Sequence, residues 1–116
     1  MNTKTQTQRG NFIMTNNNDT VVINLDRPRE LRFGHKALKT FQAISDVKME
    51  DIGDDMNFDT IEKLVYCGLL TDARKAGEQL TLEHVSDLLD EVEVQYTMGK
   101  IADAMDKAFN DGEQKN

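Results

Sequence analysis

With 116 residues, 38% of them hydrophobic, the chain has the material for one domain and a modest core. Its single cysteine excludes an internal disulfide framework, and no apolar run approaches the ~20 residues of a membrane-spanning helix. The net charge of −7 is uneven: residues 1–50 hold 8 Lys/Arg against 5 Asp/Glu, and residues 51–116 hold 6 against 16, a sign that disfavours nucleic-acid binding over the C-terminal half.

Residues 1–20 are rich in Asn, Thr and Gln, with only Phe12, Ile13 and Met14 apolar after the first residue. Too little surface can be buried there to offset the entropy of ordering, which predicts a flexible N-terminal tail. That tail also lacks the apolar block of a secretory signal, so the chain is expected in the cytoplasm. Met14 is an alternative start.

Order is expected over 21–110, as a single mainly α domain of the small α+β kind: a β-hairpin followed by about four helices. Val21, Ile23 and Leu25 alternate with Val22, Asn24 and Asp26, and Leu31 and Phe33 alternate with Glu30 and Arg32, which predicts two short strands. Pro28 fits the second position of a type I turn over Arg27–Glu30, giving a loop of about four residues. After Gly34, Ala37, Leu38, Phe41 and Ile44 repeat at helical spacing with Lys36, Lys39 and Gln42 outside. Asp46 to Phe58 reads as a loop or loose turn.

The stretch from Asp59 to Leu70 is the expected core. Ile61, Leu64, Val65 and Gly68 recur at three and four, and Tyr66, Cys67, Leu69 and Leu70 fill most of the remaining angle. Asp59 with Glu62 predicts a capping box at its start. Thr71–Gln79 reads as a polar connector, and Thr81 as the cap of a helix carrying Leu82, Val85, Leu88, Leu89 and Val92. Val94, Met98, Ile101, Met105 and Ala108 step by four and three along a last helix expected to end near Asn110, followed by a flexible tail over 111–116.

Little here points to catalysis. His35, His84 and Cys67 show no metal-ligand or nucleophile spacing, the seven glycines make no phosphate loop, and Cys67 reads as a small buried apolar residue, so no cofactor is expected. Asp51 to Glu62 places Asp51, Asp55, Asp59 and Glu62 at oxygen-ligand positions of a calcium loop. Met56 stands where that loop needs glycine, and Gly53 where it needs an oxygen side chain. A helix-turn-helix over Asp59–Val92 is opposed by the long connector and by Glu83, Asp87, Asp90 and Glu91.

Two pieces carry a family resemblance: Leu31-Arg32-Phe33-Gly34 running into Ala37-Leu38, and Gly68-Leu69-Leu70 followed by Leu80-Thr81-Leu82-Glu83 and Leu88-Leu89. In this order, from Val21 to Phe109, the chain resembles the tail assembly chaperones of long-tailed phages and prophages, especially of Gram-positive hosts. The resemblance implies a mostly helical, non-enzymatic protein of the host cytoplasm. It would coat the tape measure protein, keep it soluble while tail tube subunits are recruited, and leave before the virion is finished. A small virion structural protein of the neck or tail-completion kind is the competing class, and a calcium-responsive regulator the third.

The residues expected at a partner or self-association surface are Arg27, Arg29, Arg32, Lys36 and Lys39 at the front and Met98, Ile101 and Met105 on the last helix. Basic front and acidic back predict head-to-tail contacts, which form open filaments or spirals unless the rotation closes. The resemblance further implies a frameshifted longer form. Gln114-Lys115-Asn116 permits the codons CAA AAA AAC, so a slippery string is expected there.

Overall fold

The alternation of Val21 and Ile23 with Val22 and Asn24 forms strand β1, Thr20–Asn24, which pairs antiparallel with β2, Pro28–Arg32, in the register Val21↔Leu31 and Ile23↔Arg29. These strands open a computed structural model that describes residues 20–114 apart from Asp55. The expected tail up to Asp19, the alternative start at Met14 and the Lys115-Asn116 pair lie outside the described residues. Thr20, expected in that tail, belongs to β1.

The hairpin turn differs from the expected type I turn over Arg27–Glu30. Asn24 pairs with Pro28, so the loop is Leu25 to Arg27 and Pro28 is the first residue of β2, where a residue without an N–H is tolerated in a strand. Asp26 closes this loop from inside: its carboxylate accepts the Arg27 N–H at 2.9 Å and the Arg29 guanidinium at 2.8 Å. Leu25, expected in the strand, therefore sits in the loop, half-buried against the core.

Helix α1, His35–Ile44, follows Gly34 and buries Phe41 while Lys36, Lys39 and Gln42 face solvent. A 3-10 turn, Met49–Asp51, precedes the buried Ile52. Helix α2, Phe58–Lys75, is the centre of the molecule: Leu64, Val65 and Leu69 are fully buried, and β2, α1, helix α3 (Leu82–Leu89) and helix α4 (Val94–Gln114) all touch it.

Both ends of α2 depart from expectation. Its cap is Asn57, whose side-chain oxygen accepts the Thr60 N–H at 2.9 Å. Asp59 therefore lies inside the first turn and pairs with Lys63 at 2.9 Å, and no capping box forms with Glu62. At the other end the helix runs on through Thr71-Asp72-Ala73-Arg74-Lys75, because Ala73 is buried and the helix is stopped only at Gly77, with φ of 72°. The Glu78 N–H bonds the Ala73 carbonyl at 2.9 Å and the Gly77 N–H bonds that of Arg74 at 3.1 Å, the pair of a Schellman ending. The connector shrinks to the residues between Lys75 and Leu82.

Four apolar side chains of the hairpin, Val21, Ile23, Leu31 and Phe33, are buried in the same cluster as Leu64. Gly68 lets them approach: a Cβ there would sit 2.5 Å from Leu31 Cδ1 and 3.2 Å from the Phe33 ring. Thr81 caps α3 by accepting the His84 N–H at 3.1 Å, and α3 ends at Leu89, leaving Val92 in the turn that follows. Helix α4 packs along the hairpin, where the Tyr96 hydroxyl accepts the Asn24 N–H at 2.9 Å. It continues through Gly112 to Gln114, so the segment expected as a tail is helical over 111–114.

Candidate partner-binding surfaces

Two of the expected surface arginines turn inward. Arg29 is completely buried, its Nε and Nη2 gripping Asp26 at 2.8 and 3.0 Å and its Nη1 donating to Glu78 at 2.8 Å. Arg27 donates to Asp72 at 2.7 Å and to Glu78 at 3.0 Å, and the other oxygen of Asp72 accepts the Glu30 N–H at 3.2 Å. The five side chains clamp the hairpin turn to the C-terminal end of α2, with Glu78 directed back by the Gly77 turn. Arg29 is thereby removed from the expected partner surface, and Arg27 is committed within the chain. Its partners Asp72 and Glu78 lie in the stretch read as a connector; the glycine after Arg74-Lys75 is the stop signal that marks a longer helix there.

This clamp has a pH signature. Hydrogen bonding to Arg29 lowers the Asp26 carboxyl to about 2, and hydrogen bonds from Arg27 and then Arg29 hold Glu78 below its ordinary value; both guanidiniums are correspondingly raised. Carboxyls whose folded pKa is depressed stabilise the fold fully above their unfolded pKa and lose that contribution as the pH falls through the folded one. The melting temperature is thus expected to drop between about pH 4 and pH 2, and Asp26→Asn to flatten that drop. The change is modest, because 43% of the Asp26 side chain remains in water. Thermal melts of both chains across that range check it.

Cys67 is 1% exposed and its thiol is pushed up to about 12 by burial, as befits an unreactive packing residue. Asp51 lies at the end of the 3-10 turn, Asp59 and Glu62 on α2, and among the described residues no group of three or more His, Cys, Asp or Glu is placed to hold a metal ion.

The last helix presents a different stripe from the expected one. Thr97, Ile101 and Ala104 are its buried face, so Ile101 belongs to the core and not to a partner surface. Met98, Ala102, Met105 and Phe109 follow one another at four, three and four, within about 60° of arc on the shoulder of α4. Met98 and Phe109 are 40% and 51% exposed, Ala102 is exposed, and Met105 is half-buried. One turn before Met98, Val94 opens into a groove of about 310 Å³ between α2, α3 and α4, lined by Phe58, Ile61, Leu89 and Thr97 and rimmed by Glu62, Ser86 and Asp90. Phe58, 71% exposed, stands at its edge. Groove and stripe form a continuous apolar track from Val94 to Phe109, ~22 Å along the helix.

Arg32, Lys36 and Lys39 are exposed. Lys36 and Lys39 line a second cleft, of about 360 Å³ between α1 and α2, together with Arg74, Leu70 and Cys67. Sequence reasoning did not include Arg74, which joins them only because α2 extends past Leu70. Among the described residues no helix is long and apolar enough to cross a membrane. Comparisons with family models, with curated proteins and with solved structures yield no match to this chain.

Proposed function

We propose that the chain is a tail assembly chaperone of a long-tailed phage or prophage: a non-enzymatic cytoplasmic protein that coats the tape measure protein and helps bring tail tube subunits to it. One observation carries the reading, namely the solvent-exposed apolar track from Phe58 and Val94 to Phe109. Large apolar side chains aligned on a surface mark an interaction site, and their spacing by four and three is that of a seam that receives another helix. A track of ~22 Å matches about four turns of a docked helix, a footprint that repeated copies could lay along a long client. The acids Glu62 and Asp90 at the groove favour client segments with Lys or Arg beside their apolar positions.

The test is co-expression with the tape measure protein encoded beside this chain. The wild type is expected to keep the client in the soluble fraction and to co-purify with it, and Met98→Glu with Phe109→Glu to reduce recovery roughly tenfold or more. Absence of a complex with the wild type, or undiminished recovery with the double variant, overturns the proposal. Both positions are exposed, so circular dichroism of the variant should match that of the wild type.

A further inference from the structure

With Arg27 and Arg29 engaged by Asp26, Asp72 and Glu78, the cations left open at the front of the molecule are those around the α1–α2 cleft. Lys36, Lys39 and Arg74 are exposed there, with no ion pair among the described residues. Both walls of the cleft repeat one spacing. On α1 the lining residues Lys36, Lys39, Thr40 and Ala43 stand at i, i+3, i+4 and i+7, and on α2 so do Cys67, Leu70, Thr71 and Arg74, each set within about 100° of arc.

An exposed lysine by itself is a solvated side chain. Here three cations from two helices border one cavity of about 360 Å³, whose floor of Ala37, Leu70 and the edge of Cys67 is apolar and without charge. Two matched stripes lying side by side leave a furrow of helical period, cationic on both shoulders. Such a furrow takes a third helix in the way helix ridges fill helix grooves.

We propose that the α1–α2 cleft binds a short acidic helix of another protein, one with carboxylates on both edges of a narrow apolar strip. Charge complementarity sets the sign of those edges, and the uncharged floor requires the strip between them. The occupant is also limited in length. Helix α1 spans ~15 Å, which puts about ten residues of a docked helix in reach, and soon after Ala43 the chain turns acidic at Asp46, Glu50 and Asp54, all exposed. A nucleic acid carries its charge on past the cleft and meets those acids, on a chain of net charge −7, whereas a short acidic helix can end before them. This site is independent of the chaperone reading, and none of its residues belongs to the apolar track.

Fluorescence anisotropy with the full chain tests it, the probe being a labelled helical peptide of about three turns that carries Glu on both edges of an Ala and Leu strip. The wild type should bind it saturably at about 0.02 M salt and more weakly at about 0.5 M, and should not bind the same peptide with Lys for each Glu. Lys36→Glu with Lys39→Glu should weaken binding roughly tenfold or more, and so should Ala43→Phe, which fills the furrow and leaves every charge in place. Lys48→Glu with Lys107→Glu, the same change of charge outside the cleft, should alter it by less than about threefold. Lys36, Lys39 and Ala43 are exposed, so those variants should keep the wild-type circular dichroism. A wild type that does not bind the peptide, equal losses in the two lysine pairs, or unchanged binding by Ala43→Phe overturns the proposal. Tighter binding of a single-stranded oligonucleotide would give the cleft to nucleic acid and overturn it too. The same holds for a sedimentation mass that rises with protein concentration in the wild type but not in Lys36→Glu with Lys39→Glu, which would give the cleft to a second copy.

Discussion

Leu64→Ala is expected to destabilise the protein by about 3–5 kcal/mol, the upper part of the range for a buried leucine. The side chain is fully buried at the middle of α2, in one cluster with Leu31 and Phe33 from the hairpin and Phe41 from α1. Elements packed from several sides leave little freedom to collapse into the space vacated, so the cavity adds to the lost transfer energy. Against a total stability of roughly 5–15 kcal/mol for a domain of this size, the loss is about a fifth or more. A urea melt read by circular dichroism gives the value; Leu82→Ala, at a site 36% exposed, serves as the control with a far smaller loss. A change below about 1 kcal/mol for Leu64→Ala would show that α2 is not the core.

The second large effect is expected from the clamp. Arg29→Ala should cost about 3 kcal/mol near pH 7, the lower end of what breaking a buried ion pair costs. The lower end applies because the carboxylates left behind are not sealed in: 43% of the Asp26 side chain and 31% of Glu78 reach water, whereas Asp72 retains 13%. After the change, Asp72 and Glu78 keep the Arg27 guanidinium while Asp26 keeps only the Arg27 backbone N–H, so an unpaired Asp26 and repulsion among the three carboxylates join the lost hydrogen bonds. Two controls separate this from mere loss of volume. The cost should shrink as the pH falls toward 2 and those carboxylates take up protons, and Arg29→Met with Glu78→Gln should be less destabilised than Arg29→Met alone. Equal losses at pH 7 and at low pH would reduce Arg29 to a packing residue.

Lys36 and Lys39, placed outside α1 by the helical repeat, remain on the surface where a partner can reach them, because nothing in the hairpin or α2 packs over that side of the helix. Met98 keeps its expected exposure for a similar reason, but Ile101 and Met105 separate: the hairpin lies against the face of α4 centred between Thr97 and Ala104, so Ile101 is drawn into the core and Met105 rests at its edge. A four-and-three repeat reports that a helix has an apolar side. Which of its edges is covered depends on the neighbour's position.

The local periodicities of this chain determine the hairpin, the order of the helices and the burial of Ile61, Leu64, Val65 and Leu69, because alternation and the three-four repeat follow from backbone geometry and need no partner to be read. Thr81 as a cap is equally local, the signal lying within three residues. What only the tertiary structure decides are the relations across long stretches of chain. Pro28 begins a strand because Asp26 closes the loop against Arg29, and α2 outlasts its apolar run because Ala73 is buried and Gly77 supplies the turn that brings Glu78 to the hairpin. Arg27 and Arg29, surface cations by composition, become the inside of a clamp with Asp72 and Glu78, hydrogen-bond partners 45 to 51 positions away. Pairing over such distances is set by how α2 packs on β2, and a charge in a sequence does not carry that information. The apolar track and the basic cleft arise in the same way, from surfaces that packing left uncovered.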